Sequence, residues 1–287
     1  MKSVLVTGGN GQLGRCIKDV VQSSKELNFI FTDKNKLDIT KEEDVKAFFE
    51  NNSISYCINC AAYTAVDKAE TDKDAAEALN IHGVENLANV CKKHKAILIH
   101  ISTDFVFDGK QTKPYTEADE TKPLNVYGET KLKGEKVVAE VLEDYFIIRT
   151  SWLYSEYGNN FFKTMLRLAS EKNEVRVVSD QMGTPTYARD LARAVIVIIE
   201  KKKTAFGLYH YSNEGITSWF DFAITIFDYS NIKTKILPVK AKDFMTSANR
   251  PLYSVIDKTK IKDILGIAIP HWKESLKKCL INLAIKK

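Results

Sequence analysis

Two short stretches carry residue types that together can do carbonyl chemistry. HISTDFVFDG ends an apolar run with Ser102, Thr103 and Asp104, and PLNVYGETKLKGE holds Tyr127 and Lys131. On a helix, a separation of four residues places both side chains on one face. Reducing a carbonyl takes a hydride and an acid that protonates the developing alkoxide. A free tyrosine, with a pKa near ~10, is poorly matched to neutral pH. A nearby ammonium favours the phenolate and lowers that value, as does the positive charge of an oxidised nicotinamide. Lys131 can also hydrogen-bond the nicotinamide ribose, and the Thr103 hydroxyl can hold the carbonyl oxygen while charge grows on it. Each residue alone has a plainer reading: a strand-end turn, a half-buried aromatic, a solvated helix charge.

The hydride carrier has its own signal. VTGGNGQLGRCI places Gly8, Gly11 and Gly14 directly after the first apolar run and at the opening of a helical pattern. Such a turn lets a pyrophosphate approach the main chain, and the helix N-terminus offers it free N–H groups and positive dipole charge. No Gly-Lys-Ser/Thr follows, so the turn is read as a dinucleotide site and not as a triphosphate loop. Asp33, about 20 residues on, stands where an acidic side chain binds the adenosine ribose hydroxyls. That favours NAD, whereas Lys34 and Lys36 could hold the 2′-phosphate of NADP. Both NADH and NADPH stay open as the cofactor.

Other chemistries have weaker support. Cys57 and Cys60 form a C-x-x-C, but they sit in the apolar run SYCINCAAY, away from the helix N-terminus that a low-pKa redox thiol uses. They read as small buried hydrophobes. The five histidines form neither H-E-x-x-H nor an i,i+4 pair, and no metal site is expected. The net charge of +5 is spread over scattered lysines without an aromatic-interleaved basic stripe, which argues against a nucleic-acid surface. The N-terminal run MKSVLV is too short for a signal-peptide core, and Ala194–Ile199 is far too short for a membrane span. A cytoplasmic protein is expected.

These groups need elements to hold them. Apolar runs at Ser3–Thr7, Asn28–Thr32, Tyr56–Ala61, Ala96–Ser102 and Tyr145–Arg149 alternate with helical patterns at Gln12–Ser24, Asp72–His94 and Asn125–Leu142. Thr40 is read as opening another helix, with Thr40-x-x-Glu43 as a capping box. Continuous apolar strands separated by helices predict an α/β fold, a doubly wound parallel sheet of the Rossmann kind. The dinucleotide-binding domain is placed at residues 1–150, with return segments near 186–215: an apolar helix at Asp190–Lys201 and one more strand at Leu208–Ser212. Residues 151–287, including a helix around Asn160–Glu171, form mainly a smaller substrate-binding lobe.

The fingerprint T-G-G-x-G-x-x-G, the strand-end Ser-Thr and the Tyr-x-x-x-Lys resemble the extended short-chain dehydrogenase/reductase family. The blocks INCAAYTAVDKAE, HISTDFVFDG, PLNVYGETKLKGE, IRTSWLY, GNNFFKTML and SDQMGTPTYA narrow the resemblance to its dTDP-4-dehydrorhamnose reductase branch. That resemblance implies reduction of the 4-keto group of dTDP-4-dehydro-L-rhamnose. Tyr127 would be the proton donor, Lys131 its partner and Thr103 the carbonyl hydrogen-bond donor. Gly11, Gln12, Leu13, Asp33, Asp38, Ile39, Ala61, Ala62, Tyr63 and Thr64 would line the cofactor site. Asp104 and Trp152 would contact the substrate, with Trp152 offering a flat face to thymine. Arg250, in SANRPLYS, would pair with the diphosphate, because a guanidinium fork matches phosphate oxygens. Phe105 stands where relatives often carry tyrosine, so a substrate-side ring remains without its hydroxyl. Some members hold magnesium at a dimer interface through glutamates. Here Arg15 and Cys16 stand at that place with no acidic residue nearby, so the metal is not carried over, while a homodimer remains a partner reading. Two rivals stand beside the reductase: another sugar-nucleotide epimerase or dehydratase, and a non-catalytic subunit resembling the regulatory subunit of methionine adenosyltransferase.

Overall fold

The computed structural model describes residues 2–22 and 26–286. The longer strands are β1 (Lys2–Thr7), β2 (Leu27–Phe31), β3 (Ile54–Asn59), β4 (Ile97–Thr103), β5 (Tyr145–Thr150), β6 (Glu174–Val178), β7 (Gly207–His210) and β8 (Lys235–Val239). The longer helices are α1 (Gln12–Val20), α2 (Glu42–Glu50), α3 (Lys73–Glu77), α4 (Gly83–His94), α5 (Val126–Val141), α6 (Phe161–Glu171), α7 (Ala188–Glu200), α8 (Trp219–Tyr229), α9 (Thr259–Leu265) and α10 (Trp272–Ile285).

Strand periodicity sorts the core into two layers. Val4 and Val6 of β1 and Ile58 of β3 face α1, α7 and α9. Leu5 and Cys57 face the opposite way, onto α2, α4 and α5. Six strands lie in the order β7-β5-β4-β3-β1-β2, all parallel. This is the expected doubly wound sheet, and its order reverses between β1 and β3. Ligands bind beyond the carboxyl ends of strands at such a switch point. The return elements are present as α7 and β7, the latter paired with β5 at the sheet edge. Residues beyond Thr150 build a second core in which α6, α8 and α10 pack on the β6–β8 pair.

Several expected boundaries move. The helix after the glycine turn ends at Val20, and Ser23 and Ser24 of the expected segment lie outside the described residues. The Thr40 capping box does not form. Lys41 is the N-cap of α2 and gives no side-chain cap; Thr40 turns back and donates to Asp38 Oδ1 at 2.7 Å, while Glu43 pairs with Lys46. The expected helix Asp72–His94 is broken by a π-turn at Ala78–His82 between α3 and α4. Such turns frequently sit at functional sites. The C-x-x-C cysteines are free. Cys57 and Cys60 pack against opposite faces of the sheet, so they do not meet. No helix among the described residues is long and apolar enough to cross a membrane.

Candidate active site

The glycine turn is built by close approach. Gly8 has φ +63, and a Cβ there would lie 2.7 Å from Ala61 N, so the turn presses onto the chain leaving β3. The first bond within α1 runs from Arg15 N–H to Gly11 O, which leaves the amides ahead of it directed out of the helix end. Beside the turn, Asp33 accepts from Asn10 Nδ2 at 2.6 Å.

Beyond the ends of β1, β3, β4 and β5 lies a cleft of 680 Å³. It brings together Gly11, Gln12, Leu13, Ala62 and Thr64 from the cofactor expectations with Thr103, Asp104, Phe105, Tyr127, Lys131, Trp152 and Arg250. The remaining expected cofactor residues lie outside it. Gly8 and Gly14 form the back of the turn, and Asp33 stands beyond its rim. Ile39 is buried against Gly83, and Asp38 accepts from Thr40. Ala61 lies against Gly8, and Tyr63 turns its hydroxyl to Asp72 at 2.9 Å.

Tyr127 is positioned by the start of α5. Asn125 caps the helix by accepting from Gly128 N–H at 2.8 Å. A Cβ on Gly128 would lie 2.2 Å from Phe105 O, so only glycine lets the first turn of α5 sit on the segment after β4. The Tyr127 ring consequently meets Phe105 edge-on, with centroids 5.8 Å apart. The dry surroundings push the phenol up to about 12; Thr103 opposes that shift and the Asp104 charge adds to it. This corrects the expectation that Lys131 lowers the tyrosine. The Lys131 amine donates to Ile101 O at 2.7 Å and lies 3.3 Å from His100 Nε2. Burial in turn pushes Lys131 down to about 8.

Asp104 is fully enclosed. Its Oδ1 accepts from Thr103 at 3.1 Å, and its Oδ2 is buried without a hydrogen bond. Burial pushes the carboxyl up to about 7, with the Ser254 and Thr103 hydroxyls opposing. Between the ordinary pKa of 3.8 and about 7, the folded protein keeps a proton that the unfolded chain has released. Stability therefore falls as pH rises through that window and is flat above it. Asp104→Asn removes the buried charge. It is expected to stabilise the protein at pH 8, read as a higher Tm, by up to roughly 4 kcal/mol at about 1.4 kcal/mol per unit. The gain should shrink toward pH 5, and equal melting of the two proteins at pH 8 would contradict it.

A second cavity of 370 Å³ adjoins the first and shares Phe105, Trp152, Phe161, Trp219 and Arg250 with it. Here the two expected substrate contacts have partners within the protein. One face of the Trp152 ring stacks on Trp219 at 3.5 Å and 8°, and Gly183 packs against its Cε2–Cζ2 edge. Trp152 itself has φ +46, a strained backbone for a bulky residue. The Arg250 fork is held by Asp67 in a two-point pair, with its NH1 3.1 Å from Asp67 Oδ1. The surroundings of Arg15 are corrected too. Asp19 stands one turn along α1 and accepts from Tyr157 and Lys286, each at 2.7 Å.

Sequence reasoning missed the residues that lock this site from behind. Asn80, in the π-turn, accepts from Tyr63 N–H at 2.9 Å and donates to Thr130 Oγ1 at 3.1 Å, tying the loop after β3 to α5. Its signal was a fully buried polar residue inside a helical pattern. His100 and Asn59 were masked by apolar neighbours, and Trp219 lay in a segment without a motif.

Sheet, turn and cleft together define a dinucleotide-binding protein of the extended short-chain dehydrogenase/reductase class. The chain belongs to the RmlD family, whose model, described as the RmlD substrate binding domain, matches residues 1–285. A curated relative, the dTDP-4-dehydrorhamnose reductase of Aggregatibacter actinomycetemcomitans, is 39% identical over 96% of this chain and 98% of its own. A solved dTDP-4-dehydrorhamnose reductase from Clostridium acetobutylicum is 43% identical, covers 98% of this chain and 99% of its own, and superposes with a TM-score of 0.95. One from Bacillus anthracis, solved in complex with NADP, is 41% identical with a TM-score of 0.93, covering 98% of this chain and 100% of its own. The resemblance read from the sequence is thus borne out at the level of the family.

Proposed function

We propose that the protein reduces the 4-keto group of dTDP-4-dehydro-L-rhamnose to give dTDP-L-rhamnose with NADPH or NADH, Tyr127 giving the proton. The observation that carries this reading is the convergence of Thr103, Tyr127 and Lys131 on one cleft that opens onto the glycine turn, in a chain of this family. The cleft fits a dinucleotide: helix-end amides meet its anion, and Asp33 stands at the adenosine side. A bound reduced nicotinamide supplies the hydride.

The chain's own residues do the rest. Thr103 holds the carbonyl oxygen, and the Tyr127 phenol, protonated throughout the working pH range, is loaded as the acid. Asp104, protonated below about 7, offers a second donor toward the sugar. The adjoining cavity, walled by Trp152, Trp219 and Phe161, takes the base. Arg250 reaches the diphosphate by leaving Asp67, so the phosphate replaces one carboxylate with another anion in the same fork. Residues 1–150 with the returning α7 and β7 serve as the cofactor half, and the remaining lobe serves as the substrate half. A second copy of the chain is the protein partner that the family suggests.

Product identity tests the reading. With dTDP-4-dehydro-L-rhamnose and NAD(P)H, the expected product is dTDP-L-rhamnose, identified by NMR of the purified sugar nucleotide. A dehydrated or epimerised sugar would favour the rival enzymes instead.

A further inference from the structure

Beneath the cleft runs a buried polar chain that the reaction above leaves unused. His100 of β4 is fully buried, with Nε2 3.3 Å from Lys131 Nζ and Nδ1 3.1 Å from Asn59 Nδ2. Asn59, 1% exposed, accepts at Oδ1 from the Ala61 backbone N–H at 3.1 Å and from Thr7 Oγ1 at 2.7 Å.

One group fixes the direction of the whole chain. A backbone N–H can only donate, and the Ala61 amide lies nearer Asn59 Oδ1, at 3.1 Å, than Thr7 Oγ1, at 3.4 Å, so it holds the Asn59 carbonyl oxygen toward itself. The Asn59 NH₂ is then the group that meets His100, and Nδ1 must accept from it. A neutral imidazole that accepts at Nδ1 carries its proton on Nε2. Burial keeps the ring neutral, well below the usual histidine range. The Nε2–H therefore points at Lys131. An ammonium has three donors and no lone pair to receive it. A neutral amine has one, and still donates to Ile101 O at 2.7 Å.

We propose that His100 is a positioning residue for Lys131: through the tautomer that Ala61 and Asn59 impose, it holds the lysine as a neutral amine, ready to take up a proton when negative charge forms on Tyr127. The catalytic consequence rests on the reductase reading; the tautomer does not. In turnover, the Tyr127 O–H bond breaks and its proton goes to the substrate oxygen, forming the alcohol. Lys131 takes one proton from solvent, and its ammonium faces the phenolate. Transfer of that proton from Nζ to Oη restores both groups, so each cycle consumes one solvent proton.

The other titratable groups around Lys131 leave this bond decisive. Glu135, one turn along α5, favours the ammonium, but Arg149 binds its carboxylate at 2.7 and 2.9 Å. Cys60 is kept a thiol by burial, and Tyr127 is kept a phenol. Burial brings Lys131 down to about 8 against the raising effect of Glu135 and Cys60, and the donor from His100 takes it further down.

The test is ¹⁵N NMR of the full-length, ligand-free protein labelled at histidine, recorded at pH 7. Nε2 of His100 is expected to show the shift of a protonated nitrogen and Nδ1 that of an unprotonated one. The reverse pattern, or an imidazolium, would overturn the proposal. Asn59→Asp keeps an acceptor for Ala61 and Thr7 but offers His100 an oxygen instead of an NH₂. In that variant the proton is expected on Nδ1, Nε2 then accepts from Lys131, and the Lys131 pKa, read by NMR of the labelled lysine, should rise by one unit or more, a tenfold change in proton affinity. An unchanged tautomer, or a flipped tautomer with an unmoved lysine pKa, would equally overturn it. If the variant does not fold, the wild-type spectrum decides. Absence of turnover in the wild type would instead count against the reductase reading and leave the spectrum standing.

Discussion

Tyr127→Phe is expected to lower kcat by about 10²- to 10⁴-fold, the usual contribution of a positioned acid. Cofactor affinity should be unchanged. The substitution removes only Oη. The ring still meets Phe105, and the start of α5 keeps its Asn125 cap and its Gly128 contact with Phe105 O. Phe105 carries no hydroxyl to stand in for the lost one. Steady-state rates together with a direct cofactor titration check both halves. A variant that keeps near-original activity would assign the proton to another group, and Asp104, enclosed beside Thr103, would then be the first to examine.

Lys131→Met should cost both rate and cofactor affinity, with a loss in kcat of about 10²-fold or more. Methionine has similar length and fills the buried space without a large cavity. The variant loses the donor to Ile101 O and the amine that meets His100. A rate loss with unchanged cofactor affinity would remove the ribose contact from the account and leave Lys131 acting on Tyr127 alone. Melting curves separate these outcomes from simple instability, since a buried Ile101 carbonyl without its partner also weakens the fold.

The contrast between the two residues bears on how far the sequence could be read. The parallel sheet was legible because each strand is a continuous apolar run, and periodicity alone assigns its faces. The glycine turn and the Tyr127–Lys131 pair were legible because their spacing encodes backbone geometry. What was not legible was where each polar atom points. Tyr127 and Lys131 share a helix face, yet the lysine amine is drawn to a carbonyl of β4, and no spacing rule includes that acceptor. Trp152 was recognised as an aromatic near the substrate, but Trp219, which covers its face, comes from a helix 67 residues on (219 − 152). The Arg250–Asp67 pair spans 183 positions. Long-range partners of this kind are set by tertiary packing, which local pattern does not carry.

The Thr40 box failed for a related reason. A Thr-x-x-Glu pattern competes with any other acceptor in reach, and Asp38, two residues earlier, captures the Thr40 hydroxyl first. The π-turn at Ala78–His82 likewise escapes a 3.6-residue template, because its extra residue is inserted where Asn80 must reach both Tyr63 and Thr130.

The central claim is that this cleft transfers a hydride to a sugar-nucleotide ketone. The most direct measurement is the loss of NAD(P)H absorbance when purified, folded protein is given dTDP-4-dehydro-L-rhamnose, with NADPH and NADH run separately. The account predicts substrate-dependent loss of absorbance with at least one cofactor, one equivalent for each ketone reduced. No turnover with either cofactor, in protein shown to be folded and to bind dinucleotide, would contradict it and favour the non-catalytic reading.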